Sequence, residues 1–193
     1  MNWKEYIDQW LKTPVRCLST ATTGVHDEDE LIAVSTKEPG SPTTTIIRSI
    51  DVDKLEPAME YHRITPELVR ERGMQDNEFK RELSNMVGGI MLSYNPAFHV
   101  KYISALDDSV DFKCVDIVLI WKAANANLAV SSDMSLQELQ AYIMASLGKA
   151  NAFKRVAASS GFSDFEYLLP CENSACAVEW IYSQLALFPL TLL

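Results

Sequence analysis

The stretch VRCLSTATTG, residues 15–24, decides the fold of this chain. Its first seven residues are mostly apolar or β-branched, which is typical of a strand, and Gly24 then marks a turn. Two further strand-like runs follow at residues 31–37 and 44–50, and the segment EPGSP between them is a strong turn signal. Three consecutive short strands joined by turns predict an antiparallel start to a sheet.

The rest of the chain alternates helix-like segments with one further strand-like run. Thr65 followed by Pro66 is an N-cap pattern, and Gly88 ends the helix predicted at residues 76–87. A strand is predicted at residues 90–94. Helices are predicted at residues 3–12, 97–106, 115–124, 136–147, 150–159 and 174–187. This order predicts a single α/β domain over residues 1–193, with a mixed sheet flanked by helices and an extra N-terminal helix in residues 1–13.

Composition narrows the class of protein. The 193 residues fit one domain, and the four cysteines follow no disulfide-framework pattern, which suits a reducing cytoplasm. The N-terminus lacks the apolar core of a secretory signal, and the final stretch LALFPLTLL is too short to span a bilayer. We therefore expect a cytoplasmic protein outside the membrane. The net charge of −9 gives no basic footprint for nucleic acid, although it does not exclude one basic face.

Five segments, in order, share a pattern with one enzyme family. They are STATTG at residues 19–24, EPAMEYHRITPE at 56–67, YNPAFH at 94–99, CVD at 114–116 and CENSACA at 171–177. In order and spacing they resemble the motifs of the DEDDh 3′–5′ exonucleases, which include the proofreading subunit of bacterial replicative polymerase and RNase T. The resemblance covers about residues 15–186 and implies an RNase H-like fold with a mixed five-stranded sheet.

The same resemblance implies that the chemistry of the family is absent. Those enzymes hold two magnesium or manganese ions between carboxylates, with a histidine as general base. The positions that resemble the catalytic residues are occupied here by Ser19, Ala21, His99, Cys171 and Cys176. An alanine cannot ligate a metal, and the other four replace hard carboxylate ligands or the base. We therefore expect no cofactor and a catalytically inactive, exonuclease-like chain.

Other interpretations of these residues stay open. The simplest is that all five pack a disused cleft, since free cysteine usually behaves as a small buried hydrophobe. A second is a soft-metal site, because His99, Cys171 and Cys176 together would form a ligand set suited to zinc. A third is a redox pair between the two cysteines. Outside these positions, His62 is expected to organise its loop, and the acidic stretch HDEDE at residues 26–30 to form a solvated turn.

The C-terminal segment QLALF, residues 184–188, resembles the pentapeptide that binds the bacterial sliding clamp. In such motifs Gln184 would enter a polar subsite, while Leu185, Leu187 and Phe188 would enter an apolar groove. This interpretation makes residues 184–193 a tail and predicts that the last helix frays near Gln184. The alternative is that these side chains form the core-facing end of that helix.

Three functional hypotheses follow. The first, which the sequence favours, is a noncatalytic protein that docks on a protein partner such as the sliding clamp. The second is a nucleic-acid binder that retains the groove, through Thr22, Thr23, Gly24, Asn95 and Phe98, with the basic cluster Lys149, Lys154 and Arg155. The third is a residual or re-tooled exonuclease that uses His99, Cys171 and Cys176. The sequence leaves association with a second copy of the chain open.

Overall fold

The computed structural model describes residues 14–117 and 169–187, and it builds them around one mixed β-sheet. The strands lie in the order β4-β3-β2-β1-β5-β6. Their bounds are Arg16–Thr22 (β1), Leu31–Lys37 (β2), Thr44–Arg48 (β3), Gly73–Met74 (β4), Gly89–Ser93 (β5) and Phe112–Asp116 (β6). Strands β1, β2 and β3 are antiparallel, as predicted, whereas β5 runs parallel to both β1 and β6. Strand β1, which contains the start of the motif at residues 15–24, therefore lies inside the sheet between β2 and β5.

Helices flank this sheet. They are α1 (Met59–His62), α2 (Pro66–Arg72), α3 (Asp76–Met86), α4 (Pro96–Leu106) and α5 (Pro170–Leu187), with 3-10 turns at Val52–Lys54 and Glu56–Ala58. The predicted cap is confirmed, because the Thr65 hydroxyl accepts a hydrogen bond from the Leu68 N–H at 3.3 Å. No helix in the described ranges has the length and apolar character needed to cross a bilayer.

Two elements differ from the sequence prediction. The described sheet has six strands and not the five that the resemblance implied, and two of them, the two-residue edge strand β4 and the strand β6, were not among the four strand-like runs of the sequence. The helix predicted at residues 115–124 cannot begin at Val115, since Val115 and Asp116 belong to β6. Parallel pairing with β5, which sets Val115 opposite Leu92, overrides the local helical pattern. The helices predicted at residues 3–12, 136–147 and 150–159 lie outside the described residues.

The core is divided by the sheet into two clusters. One cluster contains side chains of α3 and α4: Leu18, Leu31, Val34, Ile46, Phe79, Leu83, Val87, Met91, Tyr102 and Ile103. The other includes the start of α5: Ala21, Ile32, Ala33, Ile47, Leu55, Ile64, Val69 and Cys171. Because successive strand residues point to opposite faces, Ser19 and Ala21 face the α5 side, while Leu18 and Thr20 face the α4 side. This division decides where each motif residue lies.

Candidate functional site

An open cleft of about 530 Å³ lies where β1 ends. Its floor and turn come from β1 and the loop that follows: Ser19, Thr20, Ala21, Thr22, Thr23, Gly24, Val25, His26 and Asp29. The walls come from the segment around α1, the start of α4 and the start of α5: Pro57, Ala58, Tyr61, His62, Tyr94, Phe98, Pro170, Cys171 and Ser174. Its volume is within the range of about 300–1,000 Å³ that is usual for ligand sites.

The cleft floor consists of a hydroxyl, a methyl group and a thiol. Ser19, Ala21 and Cys171 are all at least nine-tenths buried and line the floor together. Burial raises the pKa of the Cys171 thiol to about 11, although a hydrogen bond with Ser35 partly offsets this, so the group is neutral at pH 7. The Ser35 hydroxyl also hydrogen-bonds Thr45 at 2.8 Å. The floor is therefore polar in places but carries no charge.

The turn after β1 is held from within by its own hydroxyl groups. The Thr22 hydroxyl donates to the Gly24 carbonyl, and the Thr23 hydroxyl donates to Asp29 Oδ1 at 3.0 Å. The other Asp29 oxygen accepts from the His26 N–H at 2.6 Å. A Cβ atom on Gly24 would lie 2.4 Å from that carboxylate, so the Asp29 side chain would have to shift to accommodate any larger residue at this position. These hydroxyls are engaged in building the turn.

The acidic stretch at residues 26–30 is more constrained than the solvated turn predicted from sequence. Glu30 pairs with Arg48 at 3.1 Å and also with Lys54. Asp27 pairs with Lys101 on α4 at 2.8 Å, which lowers the pKa of that carboxyl group. The Tyr102 hydroxyl donates to the His26 carbonyl at 2.7 Å. The stretch thus forms a cleft wall that is tied to three other elements, namely β3, the 3-10 turn at Val52–Lys54 and α4.

His62 organises the opposite wall, as predicted. Its Nδ1 accepts from the Ile64 N–H at 2.9 Å, so its Nε2 carries the proton that is donated to the Leu55 carbonyl at 3.2 Å. Burial lowers the pKa of His62 and favours this neutral tautomer. The next residue, Arg63, adopts a left-handed conformation with φ of 56° at the end of α1. Both ring nitrogens of His62 are therefore occupied by the backbone.

Aromatic side chains define the mouth of the cleft. Tyr61 is 72% exposed, and Phe98 and Tyr94 are half-buried. The Phe98 ring is fixed by neighbouring rings, with centroid distances of 4.8 Å to Tyr102 and 5.6 Å to His99. Phe98 was predicted from the sequence as a nucleic-acid-binding residue, whereas Tyr61 and Tyr94 were not. The signal for Tyr61 was its position directly before His62, within a segment already assigned to the site.

His99 lies behind the cleft wall and not in the cleft, which corrects the prediction that it approaches Ser19 and Ala21. Its Nδ1 hydrogen-bonds the Thr20 hydroxyl at 2.8 Å, on the opposite face of β1. The side chain is fully buried, and desolvation lowers the pKa of its imidazole to about 3. Its Nε2 has no hydrogen-bond partner among the described residues. The residue therefore acts as a neutral packing group beside Tyr94 and Phe98.

Cys176 also lies away from the floor. It occupies the second turn of α5, not the predicted first turn, and its Sγ contacts the Thr43 hydroxyl at 3.2 Å. Five helical residues rise by about 7.5 Å, so Cys171 and Cys176 cannot form a disulfide while the helix is intact. Over residues 14–117 and 169–187 no group of three or more His, Cys, Asp or Glu side chains is placed to hold a metal ion. His99, Cys171 and Cys176 thus do not converge.

Comparison with known proteins identifies the architecture. No family model and no curated protein matches the chain. Among solved structures, exonuclease X in complex with 5′ overhanging duplex DNA is similar at 10% identity and a TM-score of 0.54, over 86% of this chain and 89% of that one. Escherichia coli exonuclease I in complex with a 5cy-dA13 oligonucleotide is similar at 12% identity and a TM-score of 0.57, over 89% of this chain. The chain has an RNase H-like exonuclease fold.

A further match is exonuclease I from Methylocaldum szegediense, at 13% identity and a TM-score of 0.54 over 88% of this chain. The chain spans about two fifths of the length of the two exonuclease I structures, 41% and 40% respectively. At these identities the likeness shows the exonuclease fold alone.

Within this exonuclease fold, the residues selected for nucleic acid are partly brought together. Thr22, Thr23, Gly24 and Phe98 line the cleft, whereas Asn95 is exposed at the start of α4 and does not. The basic cluster of Lys149, Lys154 and Arg155 lies outside the described residues.

The prediction that the last helix frays near Gln184 is wrong, because α5 continues through Leu187. The side chains of Gln184, Leu185 and Leu187, and all of Phe188, lie outside what the structure describes. The clamp motif therefore stays a prediction from sequence, with its first four residues now known to be helical in backbone.

Proposed function

We propose that this chain is a non-hydrolysing protein of the exonuclease fold that binds single-stranded nucleic acid in its cleft. One observation carries the proposal: a floor of Ser19, Ala21 and Cys171 lies beneath aromatic side chains at the mouth. The cleft is retained as a cavity, and its floor lacks the ligands that hydrolysis would need.

The floor argues against metal-dependent hydrolysis. Two-metal catalysis requires oxygen ligands with negative charge around the reacting phosphate. The one carboxylate among the described lining residues is Asp29, and both of its oxygens are engaged by Thr23 and the His26 N–H. Uncatalysed phosphate-ester hydrolysis is extremely slow, so a chain without a metal centre would give no measurable turnover.

The aromatic mouth supports binding of unpaired bases. Stacking on an exposed aromatic ring contributes about 1–3 kcal/mol per base and tolerates any sequence. Tyr61 presents a ring to solvent from α1, and Phe98 presents another from α4. The solved exonuclease I structure, similar in fold, holds an oligonucleotide, which makes nucleic acid the ligand class to test here.

The test combines a binding assay with a nuclease assay. We expect a fluorescently labelled single-stranded oligonucleotide to bind the protein in the presence of chelator and to remain intact when magnesium or manganese is added. Tyr61→Ala and Phe98→Ala should each weaken binding about tenfold through loss of stacking. Val100→Ala is the matched control, since Val100 is exposed on the same helix as Phe98 but does not line the cleft.

Two results would overturn the proposal. Chelator-sensitive trimming of the oligonucleotide by clean protein would show that a metal centre exists. Equal loss of affinity in the Val100→Ala and Phe98→Ala proteins would show that any binding occurs outside the cleft.

Docking on a sliding clamp through the segment at residues 184–188 is the second candidate. Its support is the sequence match of Gln184, Leu185, Leu187 and Phe188 to the clamp-binding pattern. The helical backbone through Leu187 weighs against it, because a docked peptide is largely extended and the last turn would have to unwind. For this reason we place nucleic-acid binding first.

A further inference from the structure

The chemistry of the cleft indicates which part of a nucleic acid the cleft would bind. Resting on that proposed function, we infer that the cleft recognises the base and sugar of one unstacked nucleotide and makes little use of its phosphate groups. The inference depends on the charge, shape and free polar atoms of the lining.

The described lining includes neither lysine nor arginine to attract phosphate. Of its two histidines, His62 has both ring nitrogens engaged by the backbone, and His26 lies on the exposed turn after β1. Proteins that track a phosphate backbone do so with basic side chains, and each phosphate neutralised in a single strand contributes a slope of about −0.7 to the dependence of log K on log salt. A lining whose one carboxylate is Asp29, with no lysine or arginine, favours the uncharged part of a nucleotide over its phosphate.

The exposed apolar side chains at the mouth of the cleft form a surface on which a flat aromatic ring could pack. Tyr61 and Val25 are 72% and 71% exposed, and both line the mouth. Large apolar side chains left in water next to a cavity are stabilised when a ligand covers them. Phe98 adds a ring from a different wall, already fixed by its neighbours. A nucleobase offers the matching face.

Two hydroxyl groups of the lining are available to form hydrogen bonds with polar atoms of such a ligand. Within the described residues, the Ser19 and Ser174 hydroxyls line the cleft and make no hydrogen bond, in contrast to those of Thr22 and Thr23. Ser19 is only 2% exposed, so its hydroxyl can meet little apart from a bound group. A hydroxyl both donates and accepts, which suits the edge of a base or a sugar hydroxyl.

The experiment compares ligands with and without phosphate. Unmodified nucleosides, the corresponding 5′-monophosphates and a short oligonucleotide are titrated into the full chain by calorimetry at several salt concentrations. We expect nucleoside and monophosphate affinities to agree within about threefold. The slope of log K against log salt for the oligonucleotide should be zero or slightly positive, in contrast to the roughly −0.7 expected for even one phosphate contact. Nucleosides should also displace the oligonucleotide.

Variants connect the binding to the cleft. Tyr61→Ala should weaken nucleoside and oligonucleotide binding by the same factor, about tenfold. Tyr61→Phe keeps the ring and should bind like the parent. Ser19→Ala should weaken both ligands while the thermal midpoint stays within about 2 °C, because that hydroxyl makes no bond in the described fold.

The outcomes separate the inference from the proposed function. An oligonucleotide that binds with a steep negative salt slope and is not displaced by nucleosides would overturn the inference and leave the proposed function standing. Failure of nucleosides and oligonucleotide alike would overturn both. Displacement of a bound oligonucleotide by an aromatic amino-acid amide, with no displacement by nucleosides, would show that the cleft takes apolar side chains and would also overturn the inference.

Discussion

At the scale of single residues, Gly24 controls the shape of the turn after β1. An added Cβ would lie 2.4 Å from Asp29, whose two oxygens hold the Thr23 hydroxyl and the His26 N–H. Because that carboxylate is anchored twice, it cannot move away without breaking bonds. We expect Gly24→Ala to reduce the free energy of unfolding by about 1–3 kcal/mol.

Urea denaturation measures this effect. Gly88→Ala is the matched control, since nothing lies within 4 Å of the Cβ position there and its φ is not in the left-handed region. Similar losses in both variants would show that the turn does not depend on the close approach of Asp29.

His99 gives the fold a predictable pH dependence. Its folded-state pKa of about 3 lies far below the unfolded value near 6.5, so between these pH values the unfolded chain binds a proton that the folded chain does not. Stability contributed by neutral His99 is therefore complete above pH 6.5 and is lost as the pH falls, by up to about 1.4 kcal/mol per pH unit.

We expect the parent protein to lose roughly 2 kcal/mol more than the His99→Gln variant between pH 7.5 and pH 5. His62, whose pKa is lowered by burial, shifts stability in the same direction in both proteins and cancels in the comparison. Chemical denaturation at the two pH values measures the difference, and parallel losses would contradict a buried neutral His99.

At the scale of elements, Arg48 joins three parts of the fold. From the end of β3 it pairs with Asp76 at the start of α3 at 2.7 Å and with Glu30 before β2 at 3.1 Å. Its side chain is only 14% exposed, so these bonds are partly shielded from water. We expect Arg48→Met to cost roughly 1–3 kcal/mol, the range for hydrogen bonds to charged groups.

Thermal unfolding tests this prediction. Arg70→Met is the control, since Arg70 pairs with Glu67 at 3.3 Å on the surface and both side chains are about two-thirds exposed. That variant should leave the midpoint unchanged. An equal shift of the thermal midpoint in both variants would show that the ion pairs of Arg48 contribute no more stability than an exposed surface pair.

The last turn of α5 allows a second test at this scale. If the segment at residues 184–188 docks on a sliding clamp, a free peptide of residues 184–193 should bind about tenfold more tightly than the full chain, because the helix through Leu187 must first unwind. A peptide carrying Leu187→Ala and Phe188→Ala is the control and should not bind. Absence of binding by the unmodified peptide would remove the docking candidate.

At the scale of the whole molecule, charge opposes the approach of a polyanion. The formal net charge of −9 at pH 7 repels a phosphate chain at long range, and salt screens this repulsion. We expect the association rate for a single-stranded oligonucleotide to rise as sodium chloride increases, opposite to the trend of basic nucleic-acid binders. Stopped-flow fluorescence measures it, with an uncharged nucleoside as the ligand whose rate should not change. A rate that falls with salt would indicate a basic approach surface.

Local physical chemistry was enough to predict much of the fold from sequence. The run Leu31–Lys37 was predicted to its ends because turn residues bound it, and the Thr65 cap followed from the hydroxyl that precedes Pro66. The resemblance of the motifs grouped Ser19, Ala21 and Cys171 with His99 and Cys176, and of these five residues the first three line the cleft. Each of these features depends on a few adjacent residues or on a motif with known spacing.

Only the tertiary structure decided the remaining features. Phe112–Asp116 is a strand because it pairs with β5, although its end has a helical pattern. His99 contacts Thr20 and not Ser19, because successive residues of a strand point to opposite faces of the sheet. The spacing of the motifs in the sequence does not show which of these two faces α4 covers. Tyr61 and Val25 reach the cleft only because the segments on either side of β1 fold back to it. Sequence specifies the elements through contacts between near neighbours, whereas the site is formed by residues far apart in the chain, which only packing brings together.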